Sequence, residues 1–172
     1  IDDLIPGTIS LGYLEKVLCL LLREGVPIRD METILETLGD HAGALKDIDI
    51  VTEYVRQALK RTITRRFAEA NSLRVITVDP KVEDTIVASV KKSEAGSYLA
   101  MDPDLIQKIV NITSGEIDKV KDVIPNIIIL TSPIVRIYFK KLIDQFIPNI
   151  TVLSYSEIDN TAQIQAIGNI AM

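Results

Sequence analysis

Ser10–Phe67 reads SLGYLEKVLCLLLREGVPIRDMETILETLGDHAGALKDIDIVTEYVRQALKRTITRRF, and this stretch decides the first half of the fold. Three helical patterns follow one another across two short joints, LREGVPIRD and GDHAGALKD. Ser10 is placed to cap a helix running to about Arg23, and Gly25 to close it. Leu11, Leu14, Val17, Leu18 and Leu21 recur at helical spacing. Cys19, Leu20 and Leu22 widen that stripe almost all round, so burial on several sides is expected. Pro27 stops the helix in the first joint, because proline lacks the N–H the next turn needs. Asp30 caps a second helix with Met31, Ile34, Leu35 and Leu38 inward and a frayed end between Gly39 and Gly43. Asp47 caps a third, longer helix with Val51, Val55, Leu59 and Ile63 on one face.

Outward from this stretch, residues 1–9 hold Pro6 and Gly7 and read as a connector. On the other side, composition changes after Asn71, which sets an expected boundary between a helical subdomain, 1–71, and an α/β subdomain, 72–172. RVITVD, Arg74–Asp79, is a short β-branched strand, and KVEDTIVASVKK reads as a helix. YLAM is a possible edge strand, and DPDLIQKIVNITSGEIDKVKD is a helix interrupted at Ser114 and Gly115. NIIILT, Asn126–Thr131, is a strand; Ser132 and Pro133 then start a helix to about Phe146. TVLSY, Thr151–Tyr155, is the last strand read. The order β-α-β-α-β-α-β predicts a small, mostly parallel sheet with packed helices: α/β in this half, α+β overall.

A hydrophobic fraction of 47% supplies a core and excludes disorder for the bulk of the chain. A net charge of −5 argues against a nucleic-acid partner, which a basic field would attract. The single cysteine, Cys19, forms no internal disulfide and fits a reducing cytosol. His41 is the single histidine, so no Cys/His metal cluster exists, and a surface or capping role suits it better than catalysis. No apolar run approaches the roughly 20 residues of a membrane-spanning helix, so the chain is not expected to span the membrane. It opens on Ile1 rather than Met, which suggests a piece of a longer protein.

Two strand ends in the second half, at Asp79 and at Thr131–Ser132, are where an α/β sheet would hold a phosphate. No G-x-G-x-x-G and no G-x-x-x-x-G-K-[ST] accompanies them, so a phosphate- or nucleotide-binding α/β enzyme is the alternative reading, and no cofactor is expected. Glu83 with Asp84, and Asp102 with Asp104, lie in first helical turns, where the helix dipole favours negative charge. Arg56, Lys60 and Arg61 fall at i, i+4 and i+5 and share a face that suits docking of an acidic partner, or plain solvation. Arg23, Glu24, Arg29 and Asp30 crowd the first joint, where mixed charges either cap the hairpin or set register between subunits.

The phrases LLREGVPIRDMETILETL and EYVRQALKRTIT resemble the cytoplasmic domain of the FlhA/InvA family, the large export-gate subunit of type III secretion systems. VLSYSEI, Val152–Ile158, leans toward the flagellar member over the injectisome one. The resemblance implies a helical third subdomain followed by an α/β fourth, lying beneath a membrane-spanning half at the cytoplasmic face of the bacterial inner membrane. It implies a homo-nonameric ring with contacts from the third subdomain, and a fourth subdomain facing the export ATPase and stalk protein. Chaperone–substrate complexes dock in that family mainly between the first two subdomains, which this chain lacks. No catalytic motif comes with the resemblance. Arg23, Glu24, Arg29 and Asp30 are the residues expected at subunit contacts, and Arg56, Lys60 and Arg61 those expected at a docking face.

Overall fold

The computed structural model describes residues 4–172, so the first three residues of the expected connector lie outside the described residues. The chain forms two compact units. One holds the chain up to Ala68 together with Glu157–Asp159; the other holds Glu69–Ser156 and Asn160–Met172. The return of Glu157–Asp159 to the helical unit is a discontinuity that a single cut near Asn71 does not contain.

The helical unit carries α1 (Leu11–Arg23), α2 (Met31–His41), α3 (Ile48–Ala58) and α4 (Lys60–Phe67). Ser10 Oγ accepts the Tyr13 N–H, and Asp30 and Asp47 cap α2 and α3 in the same way, so each start is set by a local hydrogen bond. Gly25, at φ +74°, ends α1: its N–H reaches the Leu22 carbonyl and the Val26 N–H reaches that of Leu21. α1, α2 and α4 each pack on α3. Val17, Leu21, Ile34, Leu38, Val51, Val55, Leu59 and Ile63 are buried, each contributing about 1.5–3 kcal/mol of hydrophobic stabilisation. The third helix read from sequence is two, because Leu59 (φ −90°, ψ 20°) breaks the run between α3 and α4 with neither proline nor glycine to signal it. α2 runs through Gly39 to His41, whose ring stacks on Tyr54 at 4.3 Å.

The second unit is built on a parallel sheet in the order β5-β4-β1-β6, with β1 at Ser72–Val78, β4 at Ile128–Thr131, β5 at Thr151–Ser154 and β6 at Gln163–Ile170. α5 (Pro80–Ala88), α6 (Pro103–Val120) and α7 (Pro133–Asp144) join the strands. Their apolar faces meet the sheet around Ile76, Ile109, Ile129, Phe139 and Val152. The mostly parallel sheet with packed helices is thus observed, with four differences of detail. Val90–Ser93 (β2) leaves the expected helix and pairs antiparallel with Gly96–Leu99 (β3), so the YLAM segment belongs to a separate hairpin. α6 passes intact through Ser114 and Gly115, because Gly115 is exposed and its missing side chain costs no packing. α7 stops at Asp144. TVLSY is followed by one further strand, β6, which pairs with β1 along its length with a bulge opposite Val75 and Ile76.

Candidate interaction surfaces

The joint between α1 and α2 uses its charges unequally. Arg23, in the last turn of α1, and Arg29 are exposed, and neither makes an ion pair among the described residues. Arg23 also borders an open groove of about 410 Å³ with Gly12, Lys16, Cys19 and Asp49. Asp30 is committed to α2: Oδ1 accepts the Thr33 N–H at 3.2 Å and Oδ2 the Thr33 hydroxyl at 2.7 Å. Those bonds, the hydroxyl first, hold its carboxyl below the usual aspartate value. Glu24 turns inward, Oε1 3.8 Å from Arg56 Nη1. Of the four charges expected at a subunit contact, the two arginines are therefore the ones presented outward without a local structural task.

Arg56 corrects the expected docking face. It is 1% exposed and grips Glu157 with two hydrogen bonds, Nε to Oε2 at 2.9 Å and Nη2 to Oε1 at 2.8 Å. The planar guanidinium fork matches a carboxylate in this bidentate way, and Glu157 is itself 1% exposed. Thr64 Oγ1 accepts the Asp159 N–H at 2.8 Å and so fixes the backbone beside Glu157. Arg56 lies one residue beyond Val55 on the flank of the apolar stripe shared with Thr52, and it is buried because Glu157 arrives from far along the chain. Lys60 is half-buried on α4, and Arg61, Arg65 and Arg66 are exposed there; Arg66 also lies over the Phe67 ring at 5.2 Å. A basic face exists, but on α4 and without Arg56.

In the second unit the strand ends expected to attract phosphate are occupied by the chain's own groups. Asp79 caps α5 by accepting the Lys81 N–H. At the start of α7, Ser132 donates its N–H to Glu83 Oε2 at 2.7 Å. A carboxylate there repels an incoming anion and takes the donor it would need. Sequence alone did not show Glu83 reaching from α5 to α7, 49 residues away.

The FHIPEP family matches over residues 1–163. The chain belongs to the FHIPEP family. Over 169 residues, 98% of the chain, it is 39% identical to the flagellar biosynthesis protein FlhA of Bacillus subtilis, covering 25% of that protein. It is 31% identical to the invasion protein InvA of Salmonella typhimurium over 91% of the chain and 23% of that protein. The chain thus spans about a quarter of the length of the curated relatives it matches. Among solved structures, Chlamydia pneumoniae CdsV superposes with a TM-score of 0.86 at 35% identity, over 99% of this chain and 48% of that one. The complex of C. pneumoniae CdsV and CdsO matches at 0.83, with 35% identity over 95% and 48%. The nonameric EscV cytosolic domain from the type III secretion system matches at 0.81, with 30% identity over 99% and 50%. The resemblance seen in LLREGVPIRDMETILETL is thereby confirmed as FHIPEP membership, and the fold with it. No helix among the described residues is long and apolar enough to cross a membrane.

Proposed function

We propose that this chain is a cytosolic part of a flagellar type III export gate of the FlhA kind, and that it works by binding rather than catalysis. It assembles with other copies of itself into a ring beneath the inner membrane and docks soluble export components, the export ATPase and its stalk protein. The observation that carries this reading is similarity along nearly the whole chain to FlhA of B. subtilis. The nonameric EscV domain and the CdsV–CdsO complex supply the ring and the soluble partner by analogy. The larger identity to FlhA than to InvA favours flagella over an injectisome. Glu83, seated at the start of α7, weighs against a phosphate-binding enzyme.

Native mass spectrometry of the protein's cytosolic region tests the ring. Nonamers are expected, and Arg23→Glu with Arg29→Glu is expected to shift them to smaller species while the circular dichroism spectrum stays unchanged. Monomers at every concentration would remove the reading. A thermal-shift panel of nucleotides and sugar phosphates tests the enzyme alternative: a flat response is expected, since a tight ligand raises the melting point by mass action.

A further inference from the structure

The two edges of the parallel sheet are finished differently. On β5, Thr151 donates its N–H to Ile127, so the groups of Ile150 and Val152 point away from the sheet. Both outward carbonyls are covered from α7: Lys140 Nζ donates to Ile150 at 2.8 Å, and the fully buried Arg136 donates from Nη1 to Val152 at 3.0 Å. On β6, Gln163 donates its N–H to Asn71, so Gln163 and Gln165 face β1 while Ile164 and Ala166 face outward. Beyond the bulge, the outward N–H of Asn169 is taken by Glu116 Oε1 on α6 at 3.1 Å. Gln163–Ala166 has no such cover: all four residues are exposed, and the outward groups of Ile164 and Ala166 meet no partner among the described residues.

This open stretch also lacks the usual guards. An exposed edge is ordinarily blunted by charge or proline, yet QIQAIGNI contains neither. A sheet that covers its other edge positions with Arg136, Lys140 and Glu116 leaves uncovered a short template of backbone donors and acceptors.

We infer that Gln163–Ala166 is a β-augmentation site that takes an extended, unfolded segment of another polypeptide as a fifth strand. Ile164 and Ala166 each offer one N–H and one C=O, so the contact is four main-chain hydrogen bonds with no charged side chain to select sequence. Such a site is sequence-tolerant and weak: four main-chain bonds, with apolar contact to the exposed Ile164 side chain offsetting the lost freedom of the incoming segment, put the dissociation constant on the order of 1 mM. A second copy of this chain does not fit, an exclusion that rests on the ring reading above. Two β6 edges pair about a two-fold axis, which an odd-numbered ring does not contain. Head-to-tail pairing of β6 with a neighbour's β5 is closed, because Arg136 and Lys140 hold the β5 carbonyls.

The test is amide hydrogen exchange by NMR on the 172-residue chain, with a capped hexapeptide of alternating threonine and valine as probe. At about four times the dissociation constant one fifth of the sites stay open, so exchange at Ile164 and Ala166 is expected to slow about fivefold while Gln163 and Gln165 are unchanged. Ala166→Pro removes an outward N–H without removing a bond to β1, and is expected to weaken the peptide by about fivefold or more. The same peptide N-methylated along one edge is expected not to protect Ile164 or Ala166, which keeps the test informative should Ala166→Pro fail to fold. Protection absent up to about 5 mM peptide, several times the expected dissociation constant, overturns the inference. So does equal binding by Ala166→Pro or by the methylated peptide. Protection that rises with protein concentration alone shows self-pairing and overturns it too, whereas loss of the ring reading would show in native mass and leave peptide protection intact.

Discussion

Replacing Glu157 by glutamine probes the Arg56 clasp with little change in volume. The wild-type carboxylate accepts from both Nε and Nη2 of a guanidinium that is almost wholly out of water. Glutamine keeps one acceptor and sets an NH₂ against the second donor, and the Glu24 carboxylate, 3.8 Å from Nη1, is too distant to replace the lost charge-assisted bond. Breaking a buried pair from one side costs about 3–5 kcal/mol, because the surviving charge stays desolvated. Against a total stability of roughly 5–15 kcal/mol that is a large fraction, and it lowers Tm by about 6–20 °C for a chain of this size. Arg56→Met is expected to cost a similar amount, since it leaves the Glu157 carboxylate buried. The double variant Arg56→Met with Glu157→Leu removes both charges and should lie within about 2 kcal/mol of wild type. Urea titrations followed by circular dichroism measure all four proteins and give the coupling as a double-mutant cycle. Single losses below about 1 kcal/mol that add without coupling would refute the reasoning, and Arg56 would have to be treated as solvated.

Further predictions concern the turn, the sheet edge and the outer charges. Gly25→Ala should cost about 1–2 kcal/mol in the same titration, purely for the left-handed backbone, since an added Cβ comes no nearer than 3.8 Å to Phe67. The Glu116 carboxyl is held below its ordinary value of 4.5, first by the Lys119 ammonium and then by the Asn169 N–H. A depressed carboxyl adds stability above its unfolded pKa and loses it as pH falls through the folded one, so wild type should weaken more steeply than Glu116→Gln below about pH 4.5. Glu116→Ala should also speed amide exchange at Asn169, which NMR reads directly. Charge reversal at Lys60 and Arg61 should leave stability within about 0.5 kcal/mol of wild type, in contrast to Arg56, because Lys60 is only half-buried and Arg61 is exposed.

What the sequence shows most clearly here is what local chemistry controls. Ser10, Asp30 and Asp47 cap the helices they precede, and Gly25 sits where the left-handed turn requires it, because each of these interactions spans only a few residues. The strands at Ile128–Thr131 and Thr151–Ser154 announce themselves by buried apolar runs. β6 does not, because five of its eight positions face water and its polar and small residues resemble a tail. β2 hides in a helical pattern, since VKK continues the spacing of the residues before it and its partner strand supplies the reason to turn back. The misreading of Arg56 has the same origin on a longer scale: its partner lies 101 residues away, and an arginine beside Val55 resembles any solvated flank until Glu157 arrives. Glu83 and Ser132 repeat the lesson, because helix-start chemistry is visible in both segments while their meeting is not.

The central claim is that this chain serves protein export, and the most direct measurement is made in the native host. Flagellin is quantified inside and outside cells whose chromosomal copy of the parent protein carries Arg23→Glu and Arg29→Glu, or lacks residues 10–172, with the remaining protein followed by immunoblot. The account predicts normal flagellin synthesis, a stable parent protein and loss of flagellin from the medium. Undiminished export from cells lacking residues 10–172 would contradict it.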